Sequence, residues 1–141
     1  MDNQIISFVK VCFFILFLGS CRHEKVSEME TENVKKLNIT GEWIWTESTG
    51  GFGGKTLTPE TEMLTKSLKI DDRTYKEFIN GTLIYEIDYT LGLSSEPLFG
   101  TEEKTFIDFN STNRFPIIIR ENQIEIIEPC VDCYVHKYIR Q

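Results

Sequence analysis

From Ile39 onward the chain alternates β-branched or aromatic residues with polar ones, and turn-forming residues interrupt the alternation at short intervals. A period of two is what a half-buried strand requires, because successive side chains leave opposite faces of the pleat. No helical period runs through this stretch. The pattern predicts strands over 41–47, 66–70, 74–79, 83–89, 104–109, 115–120, 123–127 and 134–140. About eight strands in about 100 residues leave room only for short connections, and hence for an antiparallel meander. Asp71-Asp72, Asn80-Gly81 and Glu121-Asn122 mark tight hairpins, Asn-Gly most strongly, since both residues tolerate positive φ. A meander of this length does best by closing on itself, which removes exposed edges. The expected fold class is therefore all-β, an eight-stranded antiparallel up-and-down barrel over 39–141. Leu83, Tyr85, Ile87, Tyr89 and Leu91 share one parity and are expected to face its interior.

The chain carries 15 Lys and Arg against 22 Asp and Glu, a net charge of −7, with no basic cluster. That balance argues against a nucleic-acid backbone as partner. Ahead of the strand region, Val11 to Leu18 is an unbroken apolar run behind Lys10, too short for the roughly 20 helical residues that span a bilayer. Residues 1–20 read as a signal helix. Their ending, Leu18-Gly19-Ser20, followed by Cys21, resembles the bacterial lipobox, in which a cysteine thiol accepts a diacylglyceryl group and becomes the new N-terminus. Cys21 is then the lipidated residue, Cys12 is removed with the signal, and residues 21–38 form a charged tether. An uncleaved anchor or a buried N-terminal strand is the alternative. Several acyl chains hold far more firmly than one, at about 0.8 kcal/mol per buried methylene. The expected location is the bacterial cell envelope, at the outer membrane, with the N-terminal lipid as the membrane contact.

Gly41-Glu42-Trp43 at the start of the first strand and Arg140 at the end of the last are similar to the Gly-x-Trp and closing-Arg pattern of the lipocalin and calycin superfamily. The wider layout, a lipobox, a tether, Gly-x-Trp-x-Trp and a glycine-rich loop, resembles the lipocalin-like lipoproteins of Bacteroidetes. The resemblance implies a small barrel whose closed end is plugged by Trp43. It also implies Arg140 lying across the indole as a cation–π cap, and close backbone packing at Gly41.

Cys130 and Cys133 lie between the last two predicted strands. A disulfide stapling that hairpin suits an exported protein, although a ring this small removes little chain entropy. A redox pair would need a helix N-terminus, a zinc site would need ligands beyond His136, and the two thiols could also stay reduced. Tyr134, His136, Tyr138 and Arg140 share one face of the last strand. The family resemblance turns Arg140 inward, and His136 and the tyrosines with it. The interior is then either an aromatic lumen for an amphipathic small molecule or a filled core. Gly50-Gly51-Phe52-Gly53-Gly54 lacks the ending of a phosphate loop, and reads as a wide turn or as a loop over the barrel mouth with Phe52 as its lid. Glu60 with Glu62, Glu102 with Glu103, and Glu125 with Glu128 have no His, Ser or Cys close enough in sequence to complete an acid–base set, and are expected at the solvated surface. Asn38, Asn80 and Asn110 begin glycosylation-type sequons, which a lipobox context makes irrelevant.

The sequence thus predicts a non-catalytic lipoprotein without cofactor or metal, holding a small hydrophobic or amphipathic ligand through Trp45, Tyr85, His136 and Tyr138. The alternative is an accessory or scaffolding lipoprotein, binding another envelope protein through its loops or the region 99–109.

Overall fold

The computed structural model describes residues 38–109 and 113–141. The expected signal helix, Cys21, the tether up to residue 37 and the Asn110 sequon lie outside the described residues. The chain runs β1 (Gly41–Gly50), β2 (Lys55–Leu57), a one-turn helix α1 (Pro59–Glu62), β3 (Lys66–Ile70), β4 (Thr74–Ile79), β5 (Thr82–Asp88), β6 (Thr90–Leu93), β7 (Thr105–Phe109), β8 (Asn113–Arg120), β9 (Gln123–Ile127) and β10 (Tyr134–Arg140).

All pairings among these strands are antiparallel, in the order β5-β4-β3-β1-β10-β9-β8-β7-β6, with β2 folded back on the end of β1. The two ends of this sheet, β5 and β6, are joined through the single residue Tyr89. Its amide donates to Arg73 O, and its hydroxyl donates to Asp71 O at 2.7 Å. The sheet therefore curls into a nearly closed barrel. Inside it, Tyr75 of β4 meets Phe109 of β7 edge to face at 4.9 Å between ring centroids.

The strand count is ten where about eight were expected. One addition is β6, which follows directly on the strand predicted over 83–89: past Tyr89 the chain leaves β4 and pairs with β7. The other addition is β2, three residues that the glycine-rich turn brings back against Ser48–Gly50. The helix α1 was also unforeseen. Thr58 caps it by accepting from the Thr61 amide, while Thr61 Oγ1 accepts from the Thr58 amide, with Pro59 fitting the first turn.

The turn residues act as their chemistry requires. Asn80 and Gly81 take φ of 49° and 75°, giving the two-residue hairpin whose twist matches its strands. In the β3–β4 turn, Asp71 accepts from the Arg73 and Thr74 amides and from the Thr74 hydroxyl. These hydrogen bonds hold its carboxyl down at a pKa of about 2.

The core gathers Trp43, Trp45, Leu68, Ile70, Ile107, Ile117, Ile124 and Ile126 from five strands around the barrel. Two bulges break the simple alternation. In β1, Trp45 pairs with Tyr138 and Glu47 with Lys137, so Thr46 is the extra residue and Ser48, not Glu47, turns into the interior. In β5, Glu77 of β4 faces Tyr85 and Phe78 faces Leu83, leaving Ile84 as the extra residue. The expected inward face of 83–91 is thereby cut in two. Ile87, Tyr89 and Leu91 pack on the core and Tyr85, 43% exposed, borders the barrel interior beside Ile84, whereas Leu83, before the bulge, is 45% exposed.

Candidate functional site

At one end of the barrel, Trp43 is fully buried and donates its indole N–H to Ile39 O at 2.9 Å. Arg140 faces it directly across the β1–β10 ladder, with its guanidinium carbon 4.2 Å from the ring centroid. The same guanidinium donates to Thr40 O at 2.6 Å and Asn38 O at 3.2 Å, tying the entry of the chain to its exit. A Cβ at Gly41, whose φ is 137°, would lie 2.6 Å from Arg140 Nη1. Only glycine leaves the guanidinium room there.

Toward the other end the barrel holds a cavity of about 470 Å³. Its walls are aromatic: Tyr75, Tyr85, Phe109 and Phe115, with Ile126 and Tyr138 between them. Neighbouring rings meet edge to face, Tyr75 with Tyr85 at 6.5 Å and Phe109 with Phe115 at 5.4 Å. Four charged or titratable groups also line it, Lys66, Glu77, Glu128 and His136.

Tyr75 and Tyr138 are 6% and 3% exposed, yet neither hydroxyl has a hydrogen-bond partner among the described residues. Burial, with a contribution from the negative field of Glu77, pushes the pKa of both phenols well up. Both therefore stay protonated near neutral pH, each able to act as a hydrogen-bond donor and acceptor on a residue that lines the cavity.

His136 is fixed from both sides. Glu128 Oε1 accepts from Nε2 at 3.1 Å, and Ser48 Oγ lies 2.7 Å from Nδ1. Trp45 Nε1 in turn donates to Ser48 Oγ at 2.8 Å, so the hydroxyl proton is directed at the imidazole. The second oxygen of Glu128 accepts from the Tyr134 amide at 3.0 Å. This places a serine, a histidine and a carboxylate in one chain, a combination that hydrolases use, and revises the expectation that Glu128 is solvated surface without a partner. Its geometry serves orientation. Ser48 is 1% exposed and does not line the cavity, and its oxygen already receives the indole N–H.

Of the four residues predicted to hold a ligand, Tyr85, His136 and Tyr138 line the cavity and Trp45 does not. Trp45 stands behind the wall, anchoring Ser48 and carrying the Lys66 ammonium 4.9 Å above its ring. The other lining residues, among them Lys66, Tyr75, Glu77, Ile84 and Glu128, were missed. The signal was present in β3 and β4, where Lys66 shares parity with Leu68 and Ile70, and Glu77 with Tyr75. A charge on the apolar parity of a strand marks a polar interior.

Cys130 and Cys133 form a disulfide with Cα atoms 5.5 Å apart, stapling the β9–β10 loop. Both nitrogens of His136 are engaged elsewhere, and among the described residues no three His, Cys, Asp or Glu side chains converge as metal ligands. The glycine-rich segment is a turn between β1 and β2, closed by Gly54 N–H to Gly51 O, and Phe52 is 94% exposed and away from the cavity. In the region 99–109, Phe106 and Phe109 are buried, leaving Phe99 alone as an exposed aromatic ring. Glu125 turns to Arg120 and Gln123 rather than to Glu128. No family model, no curated protein and no solved structure matches the chain.

Proposed function

We propose that the chain is a lipid-anchored envelope lipoprotein whose lipocalin-like barrel, counted as eight staves with β5 and β6 as one, holds a small amphipathic ligand in its lumen without acting on it chemically. The observation that carries this reading is the aromatic cavity of about 470 Å³, lined by two nearly buried tyrosines whose hydroxyls have no hydrogen-bond partner among the described residues. A cavity of that size with few polar groups on apolar walls is the usual form of a small-molecule site. The Trp43–Arg140 contact supports the lipocalin-like assignment, and the Leu18-to-Cys21 pattern supports the anchor. Native mass spectrometry of the protein purified from its own envelope tests the lumen reading. A small-molecule mass beyond that of the lipidated chain is expected, and a uniformly bare lipidated chain would overturn it.

The second reading, an accessory lipoprotein docking on another envelope protein, draws on β5, whose outer edge is unpaired and whose Leu83, Ile84 and Tyr85 are exposed. A photo-crosslinker at Ile84 that yields no discrete adduct in intact cells would remove it.

A further inference from the structure

Resting on the lumen reading, we infer that the cavity selects an organic ammonium, an alkyl- or arylamine whose cationic head meets Glu77 inside the box formed by Tyr75, Tyr85 and Phe109. The charges facing the cavity are unequal in their needs. Glu128 is satisfied at both oxygens, by His136 and by the Tyr134 amide. Lys66 has its ammonium over the Trp45 face. Glu77, the other carboxylate lining the cavity, has neither a hydrogen bond nor an ion pair from any described residue. It stands directly opposite Tyr85 in the β4–β5 ladder and two residues from Tyr75 on the same strand.

The rings around it suit a cation. Tyr75 meets Tyr85 at 71° and Phe109 at 66°, and all three rings line the one pocket. The negative faces of such rings attract an alkylammonium, most strongly where water is excluded. The Tyr75 and Tyr138 hydroxyls can accept the remaining N–H donors. A carboxylate ligand would find Lys66 as its cation and the tyrosine hydroxyls as donors, but with Glu77 and Glu128 opposing its charge. The net charge of −7 also draws cations toward the protein.

Three probes of matched size separate the cases by calorimetry on the full-length protein in a nonionic detergent: 2-phenylethylamine, 2-phenylethanol and 3-phenylpropionate. The amine is expected to bind about tenfold or more tightly than either of the others, as an unpaired partly buried carboxylate implies. Glu77→Gln should remove that advantage while leaving 2-phenylethanol binding unchanged. Tyr85→Leu, at a half-exposed site that the core does not need, should weaken the amine more than the alcohol. If 3-phenylpropionate binds best and Lys66→Met abolishes it, the ammonium assignment is wrong and the lumen reading stands. If all three bind equally and Glu77→Gln changes nothing, the ammonium assignment again fails. If none binds and the native protein carries no small molecule, both fail together.

Discussion

Arg140 shows how much one side chain can join. It caps an indole, donates to two backbone carbonyls that precede β1, and excludes a Cβ at Gly41. Trp43→Ala should cost about 3–5 kcal/mol in a urea unfolding experiment, the usual range for emptying a buried aromatic site. Arg140→Gln should cost less, about 1–3 kcal/mol, since the indole stays buried while charge-assisted hydrogen bonds are lost. Ser48→Ala leaves the Trp45 N–H and the His136 Nδ1 without their partner in a buried place, and about 1–3 kcal/mol is expected by the same measurement. Asp71 gives a pH signature. Its folded pKa is lowered by the Thr74 hydroxyl and by the Arg73 and Thr74 amides, so the stability it contributes is complete above the unfolded value of about 4. That contribution is lost as pH falls toward the folded value of about 2. Asp71→Ala should accordingly show a shallower loss of unfolding free energy between those two pH values than the parent protein. An equal slope would mean that the turn does not hold the carboxylate.

The strands were the legible part of this sequence, and the bulges were the illegible part. A period-two pattern specifies a strand as long as nothing is inserted, and both insertions, Thr46 and Ile84, fall inside otherwise regular runs. Each one exchanges the two faces of its strand across the inserted residue. The first brings Ser48 inside to His136. The second separates Leu83 from Ile84 and Tyr85, which line the cavity, on an edge strand with no second partner among the described residues; Leu83→Lys should reduce aggregation at high concentration, seen by light scattering, with little change in unfolding midpoint. The Cys130–Cys133 staple encloses so short a loop that replacing both with serine should cost no more than about 2 kcal/mol in the same unfolding assay. The loop would loosen locally while β9 and β10 keep their ladder.

For the whole molecule, the decisive event is closure. It brings Tyr75 against Phe109 and sets Glu128 and Glu77 on one cavity, although these residues lie far apart along the chain. At this scale the anchor is also testable. Cys21→Ser should move the protein from the membrane pellet to the soluble fraction when cells are fractionated, because no acyl chain could be attached. Composition, alternation and turn chemistry, all local quantities, determined from the sequence alone that this is an acidic all-β chain of short antiparallel strands with a hairpin at Asn80-Gly81. Alternation also picked out Tyr85 by its parity with apolar neighbours, while His136 and Tyr138 were turned inward by the resemblance that places Arg140 inside. The tertiary structure alone decided that an open cavity remains, that Trp45 stands behind its wall, and that Glu77 lines it with no hydrogen-bond or ion-pair partner among the described residues. Those outcomes depend on which strands face one another across the barrel and on where a single extra residue shifts the register, and neither is encoded in the spacing along any one strand.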